Sequence, residues 1–207
     1  HQMKIIFYLH LIIPTLIFSQ NGIDYNSTIQ DTTKNVLIDK VSKSPITGEV
    51  YLLDDGVEVF RGEYLNGLRH GIQKENYLNG NPKWICNYEN GLKVDVEKMY
   101  YENGIIQFKG DYKNGLNKGI LEYYFENGKI ESRGVLINGI ENGEWKYFYE
   151  NGNLQSKGKV LKDKNHGYYI YYEENGMISM EGNYNMGKEV GVWKYYKNGT
   201  LDMEVEY

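Results

Sequence analysis

The chain of 207 residues has one cysteine, three prolines and four histidines, and these shortages narrow its chemistry before any motif is sought. A single thiol, Cys86, closes no intramolecular disulfide and supplies no thiolate metal site. It is expected to be a small residue filling a structural position. There are 23 Lys and Arg against 28 Asp and Glu, a formal charge of −5, and no basic run interrupts that balance. A nucleic-acid binder needs a basic stripe to displace phosphate counterions. Nucleic acid is therefore excluded as a partner, and an anionic membrane lipid surface is disfavoured. Helical periodicity is absent after residue 20, and the modest aliphatic content argues against a large oily core.

What the chain does have is glycine and tyrosine, 24 and 21 residues. Tyr favours strands, and the glycines are periodic. Gly119, Gly143, Gly167 and Gly191 recur every 24 residues; Gly71 lies on the same grid and Asp95 fills its missing slot. A second series runs Gly62, Gly110, Gly134, Gly158, Gly182, with Cys86 in its gap. A third runs Gly67, Gly91, Gly115, Gly139, Gly187, broken at Asp163. Several series at one period mark a tandem repeat. Asn-Gly pairs on the same grid, such as Asn127–Gly128 and Asn151–Gly152, separate two alternating runs in each unit. Asn-Gly supplies the positive φ angles of a type I′ turn, so each unit is expected to be a β-hairpin. The expected fold is all-β: tandem antiparallel β-hairpin repeats forming one elongated twisted sheet.

An even-numbered loop at each Asn-Gly turn sets a register. Trp145 then faces Gly158, Tyr123 faces Ser132, Tyr147 faces Ser156, and Gly167 faces Tyr184. Large residues meet small ones, as packing on a crowded face requires. Ile106, Ile130, Leu154 and Ile178 are assigned to that packed face. The other face carries Tyr100, Tyr124, Phe148, Tyr172 and Tyr196, with the polar residues Gln107, Glu131, Gln155, Ser179 and Asp202 opposite them. The last pair requires a three-residue loop at Asn198–Thr200. A rigid amphipathic aromatic strip can prop strands or dock a partner, and this column is the candidate partner-binding site.

The first residues differ from the rest. Lys4 precedes an apolar run from Ile5 to Phe18, closed by Ser19, which reads as a secretory signal peptide over 1–19. Residues 20–46 match no repeat and are expected to be a linker with an edge cap from Val36 to Val41. About seven repeats follow over 47–207, the last one truncated.

A search for chemistry leaves nothing. His70 and His166 stand four units apart, roughly 38 Å on an extended sheet. Asp54–Asp55 and Glu173–Glu174 are strand neighbours whose side chains diverge to opposite faces. There is no calcium loop, phosphate loop, zinc spacing or nucleophile elbow. No cofactor, metal or catalytic residue is expected.

The stretch Phe60-Arg61-Gly62-Glu63-Tyr64-Leu65-Asn66-Gly67-Leu68-Arg69-His70-Gly71 closely resembles the MORN repeat, and the spacing recurs at Phe108, Gly110, Tyr112, Gly115 and Gly119. One departure is systematic. Where the usual motif has a glycine two residues after the His-Gly pair, this chain has Gln73, Leu121, Trp145, Tyr169 and Trp193. In this it resembles the bacterial repeat-variant branch that includes YwqK-type antitoxins. The resemblance implies antiparallel hairpins and an interaction role without chemistry. The reading that results is a non-enzymatic exported protein, periplasmic, cell-surface or secreted, that binds a protein partner. The alternatives are an antitoxin or immunity protein neutralising a toxin, and a glycan-binding surface protein.

Overall fold

The computed structural model describes residues 4–8, 23–24, 28–32, 34 and 36–207. The protein is all-β, with no helix among these residues. It forms two compact units, 1–104 and 105–207. The first holds β1 (Lys4–Tyr8), β2 (Ile23–Asp24), β3 (Thr28–Asp31), β4 (Val36–Asp39), β5 (Gly48–Asp54), β6 (Val57–Leu65), β7 (Leu68–Asn76), β8 (Pro82–Glu89) and β9 (Leu92–Tyr100). The second holds β10 (Ile106–Lys113), β11 (Leu116–Tyr124), β12 (Ile130–Ile137), β13 (Ile140–Phe148), β14 (Leu154–Leu161), β15 (Lys164–Tyr172), β16 (Ile178–Asn185), β17 (Lys188–Lys197) and β18 (Thr200–Glu206). Within each unit the strands from β5 to β9 and from β10 to β18 pair antiparallel with their chain neighbours, as tandem hairpins must. Of the expected export signal, residues 1–3 and 9–19 lie outside the described residues. β1 pairs with β5, and β2 with β1.

Two kinds of turn alternate, and their assignment corrects the sequence reading. At Asn127–Gly128 only the glycine has positive φ, at 82°. Gly128 N–H donates to the Phe125 carbonyl (2.9 Å) and Phe125 N–H to the Lys129 carbonyl (2.9 Å). That is a type I turn followed by a left-handed glycine, a loop with an odd number of residues. Asn79, Asn151 and Asn175 lie in turns of the same build. The type I′ turns lie instead at pairs such as Asn66–Gly67 and Asn114–Gly115, where both residues have positive φ. Asn198–Gly199 is one of them, a two-residue loop with Lys197 opposite Thr200, not the expected loop of three.

The odd loop shifts the register by one residue at the strand ends, through a bulge. Tyr124 faces Ile130 instead of Glu131, Phe148 faces Leu154 instead of Gln155, and Tyr172 faces Ile178 instead of Ser179. Tyr196 faces Leu201 instead of Asp202 for a different reason, because its loop has two residues and not three. Away from the turns the expected pairs Trp145–Gly158, Tyr123–Ser132, Tyr147–Ser156 and Gly167–Tyr184 are all present.

Asparagine supports its turn twice. The Asn127 side-chain oxygen accepts from Lys129 N–H (2.9 Å), and its amide donates to the Glu150 carbonyl of the next unit (3.0 Å). Asn79 and Asn151 do the same toward Glu102 and Glu174.

The glycine series have different physical causes. Gly143 sits in a bulge of β13 at φ 80°, a conformation that costs an L side chain about 1–2 kcal/mol. Asp95, which interrupts that series, takes the same left-handed conformation at φ 58° and is held by the Asn87 amide at 2.8 Å. The Gly134, Gly158 and Gly182 series has no positive φ and is needed for space. A Cβ on Gly134 would lie 2.1 Å from the Trp145 ring, on Gly158 2.2 Å from Tyr169, and on Gly182 2.2 Å from Trp193. Each ring covers the glycine of the strand before it. Trp145 is paired with Gly158 through the backbone, yet its ring lies over Gly134.

The core is therefore one row across one face, alternating glycine with Leu121, Trp145, Tyr169 and Trp193, and its rings are almost fully buried. These are the positions at which the chain departs from the usual repeat motif. In the first unit the equivalent repeat positions hold Gly62, Gln73, Cys86 and Glu97, with polar Gln73 and Glu97 in place of the rings. Trp84 Nε1–H donates to Glu97 Oε1 at 2.6 Å. Burial pushes the Cys86 thiol up to about 11, with Glu97 adding to the shift.

The stretch expected as a linker contains the β3–β4 hairpin. Leu37 N–H donates to the Gly67 carbonyl (2.7 Å), and Leu37 and Ile46 cluster with Val50 against Leu52, Phe60 and Tyr64. Val36–Asp39 thus pairs with β3 and rests on the sheet face.

Candidate functional site

Every residue of the predicted aromatic column stands at or next to a strand end, just before a turn. Tyr100 ends β9 in the first unit. Tyr124, Phe148, Tyr172 and Tyr196 close β11, β13, β15 and β17 in the second, and all five are half-buried. Neighbours in the second unit are two strands apart, roughly 9–10 Å at normal strand spacing. The corrected register gives them aliphatic cross-strand neighbours, so the column props strands as well as presenting a surface.

The hydroxyls of this face are tied to carboxylates. Tyr124 OH donates to Glu122 Oε2 at 2.8 Å, and burial followed by that bond pushes the phenol up to about 12. Glu122 in turn meets Lys109 at 3.8 Å and Arg133 at 3.4 Å. Tyr196 OH donates to Glu181 Oε1 at 2.7 Å. Hydrogen bonds from Tyr168 and then Tyr196, aided by Lys194, hold the Glu181 carboxyl below its ordinary value despite some desolvation. Tyr168 on this face is 49% exposed. It went unnoticed in the sequence because it belongs to none of the glycine or aromatic series.

The opposite face is packed on itself. The Tyr147 ring lies 6.1 Å from Trp145, Tyr171 lies 6.0 Å from Tyr169, and Tyr184 meets Trp193 edge-on at 4.9 Å. Its hydroxyls pair with each other, Tyr171 with Tyr184 at 3.1 Å and Tyr195 with Tyr207 at 3.1 Å. In the first unit a cleft of about 480 Å³ lies partly under the β3–β4 hairpin, with Leu37, Val50 and Phe60 as apolar wall and Arg69 and Lys83 at its margin.

His70 and His166 each precede a bulge glycine, with a buried Nδ1 that meets no protein partner. Among the described residues no three His, Cys, Asp or Glu side chains come together as a metal site. The geometry of the described residues offers surface, hydrogen-bonding groups and fixed charge.

Fold and surface together define a tandem β-hairpin repeat protein whose second unit packs its core on one face and carries aromatic rings and fixed charge on the other. The family model described as the MORN repeat variant matches residues 69–91, 96–114, 118–138, 141–161 and 165–186, about half of the chain. The chain belongs to the MORN repeat-variant family. No curated protein matches it. Repeats of this family are generally modules for contact with proteins or membranes and are generally not catalytic.

Proposed function

We propose that the protein is an exported, non-enzymatic interaction module that docks a protein partner on the face carrying Tyr124, Phe148, Tyr172 and Tyr196. One observation carries the reading: in the second unit this face combines aromatic rings with a row of fixed charge, while most rings of the other face pack on each other. Aromatic anchors beside charged groups are the composition of protein-binding hot spots. The export reading rests on the Lys4, Ile5–Phe18 and Ser19 pattern. A toxin is the class of partner favoured by the resemblance to the YwqK-type branch.

The test compares two variants of the full chain, each checked for native melting. One carries Tyr124→Ser with Tyr172→Ser; the other carries Tyr147→Phe with Tyr171→Phe on the packed face. A protein captured from native extract should stay with the packed-face variant and be lost from the column variant. Equal retention by both would refute the docking face.

A further inference from the structure

Charged residues on the docking face lie in a row across the strands, one per strand, each directly opposite the next. In order they are Lys109, Glu122, Arg133, Lys146 and Lys157, then Ile170, Glu181, Lys194 and Glu204. At both ends opposite charges alternate, as cross-strand pairing favours. In the middle three cations stand in succession. Arg133 faces Lys146, and Lys146 faces Lys157. Lys159, opposite Glu144, adds a fourth on the same side of the sheet. Like charges placed directly opposite each other destabilise a sheet, and this chain is acidic overall, at −5. Composition alone would supply carboxylates here more readily than cations.

Local acids offset the group only in part. Arg133 reaches the mostly buried Glu122 at 3.4 Å, and Lys146 reaches the exposed Glu144 at 3.0 Å. Among the described residues no carboxylate lies within ion-pair distance of Lys157 or Lys159. Beside them is an open depression of about 480 Å³ lined by Glu144, Lys157, Gly158, Lys159, Tyr168 and Ile170. Two cations without an acidic partner, the one carboxylate that Lys146 already engages, a half-exposed phenol and an aliphatic side chain therefore border one concavity.

We propose that the row Arg133, Lys146 and Lys157, together with the concavity beside Lys157, receives an acidic, extended peptide segment of the partner lying across the strands. The proposal rests on the docking face assigned above and names the chemistry of what docks there. Three adjacent strands span roughly 9–10 Å, and an extended peptide presents side chains on one side every 6.6–6.8 Å or so. Two carboxylates at alternate positions of such a peptide therefore fit within the span of the three cations, within reach of their long side chains. Glu122 and Glu181 close the row on either side, so the positive zone is a short track. A planar anionic membrane or a polynucleotide would meet those carboxylates as well, whereas a short acidic peptide avoids them.

The experiment measures binding of a fluorescent alternating Glu-Thr peptide to the full chain, with an alternating Lys-Thr peptide as control. Only the acidic peptide should bind. Lys146→Gln with Lys157→Gln should weaken it by on the order of tenfold, the sum expected of two exposed ion pairs. Raising salt from about 0.01 M to about 0.1 M, which shortens the screening length from about 30 to about 10 Å, should weaken it further. The same double variant should melt no lower than the parent chain, because it relieves like-charge opposition; a purely structural role would lower melting. Unaltered peptide affinity in the double variant overturns the proposal. So does binding of phosphatidylserine vesicles that depends on the two lysines while the peptide fails to bind. If the peptide fails but a captured protein is still lost from the Tyr124 and Tyr172 variant, the docking face stands and the acidic track falls.

Discussion

Gly134→Ala adds one methyl group to the protein, and the structure places that carbon 2.1 Å from Trp145 Cδ2 and 2.1 Å from Cε2. Gly134 lies in ordinary extended strand, so no conformational preference of glycine contributes to the cost. What remains is steric. The ring cannot lift freely, because Tyr147 stacks on it at 6.1 Å and Trp145 is only 2% exposed. Overpacking of this kind costs about 1–3 kcal/mol, and a contact so far inside van der Waals distance belongs at the upper end, about 3 kcal/mol. For a chain of this size that is a fall in Tm of roughly 6–12 °C. The decisive measurement is a double-mutant cycle by urea denaturation. Trp145→Leu alone should be destabilising, and Gly134→Ala in that background should cost under about 1 kcal/mol, a strong favourable coupling. The first unit contains a natural precedent: Cys86 occupies the glycine slot where its row neighbours are Gln73 and Glu97, which carry no ring. If Gly134→Ala costs less than about 0.5 kcal/mol, or the two changes add, then ring-over-glycine packing does not hold the row together.

Four further outcomes can be checked by melting or denaturation. Lys162 and Asp163 both adopt positive φ, at 53° and 59°, in a turn that elsewhere uses Asn-Gly, so Lys162→Asn should stabilise by about 0.5–1 kcal/mol. Trp193 Nε1–H donates to the Asn183 carbonyl at 3.1 Å whereas Trp145 Nε1 has no protein partner, so Trp193→Phe should cost about 1 kcal/mol more than Trp145→Phe. Glu97→Ala removes the acceptor of the Trp84 indole and the partner of Lys93 and should destabilise by about 2 kcal/mol, with Glu97→Gln milder. Burial raises the Tyr124 and Tyr168 phenols from 10.0 to about 12, so their contribution is intact below pH 10 and is lost as pH climbs through the folded values. Stability should fall between pH 10 and about 12, and phenolate absorbance should rise together with unfolding. Phenolate forming at pH 10 with Tm unaltered would contradict this.

The hairpins and the large-over-small row were legible in the sequence because both are periodic and both follow from alternation. Trp145 opposite Gly158 needed only a count of residues. The turn types were not legible, because the two turns of each unit are spelled alike. Asn114–Gly115 and Asn127–Gly128 differ in how many neighbours the loop consumes, and a bulge hides that from alternation. The slip moved Ile130, Leu154 and Ile178 opposite the aromatic column and removed the polar partners assigned to it. The cationic track has a sequence trace that could have been found. Arg133 and Lys157 each precede a glycine of the second series, and Lys146 follows Trp145. Nothing in a linear reading shows that these residues are side by side. Of the β3–β4 hairpin only the second strand was legible, within the Val36–Val41 cap, because its buried residues, Leu37 and Ile38, are few and sit in a polar stretch.

Asn79, Asn127 and Asn151, each the third residue of its type I turn, donate to a carbonyl 23 residues further on, in the next unit. Each repeat thus carries a socket for its predecessor and a plug for its successor, both of one pattern. A gene encoding such a chain can lose or duplicate a whole period by misaligned recombination, and the new neighbours meet with plug and socket already matched. A slip of one codon inside a period breaks the match at once. Copy number is therefore the cheap direction of change for this protein, and the length of its readable face can drift through evolution while the hairpin that builds it stays fixed.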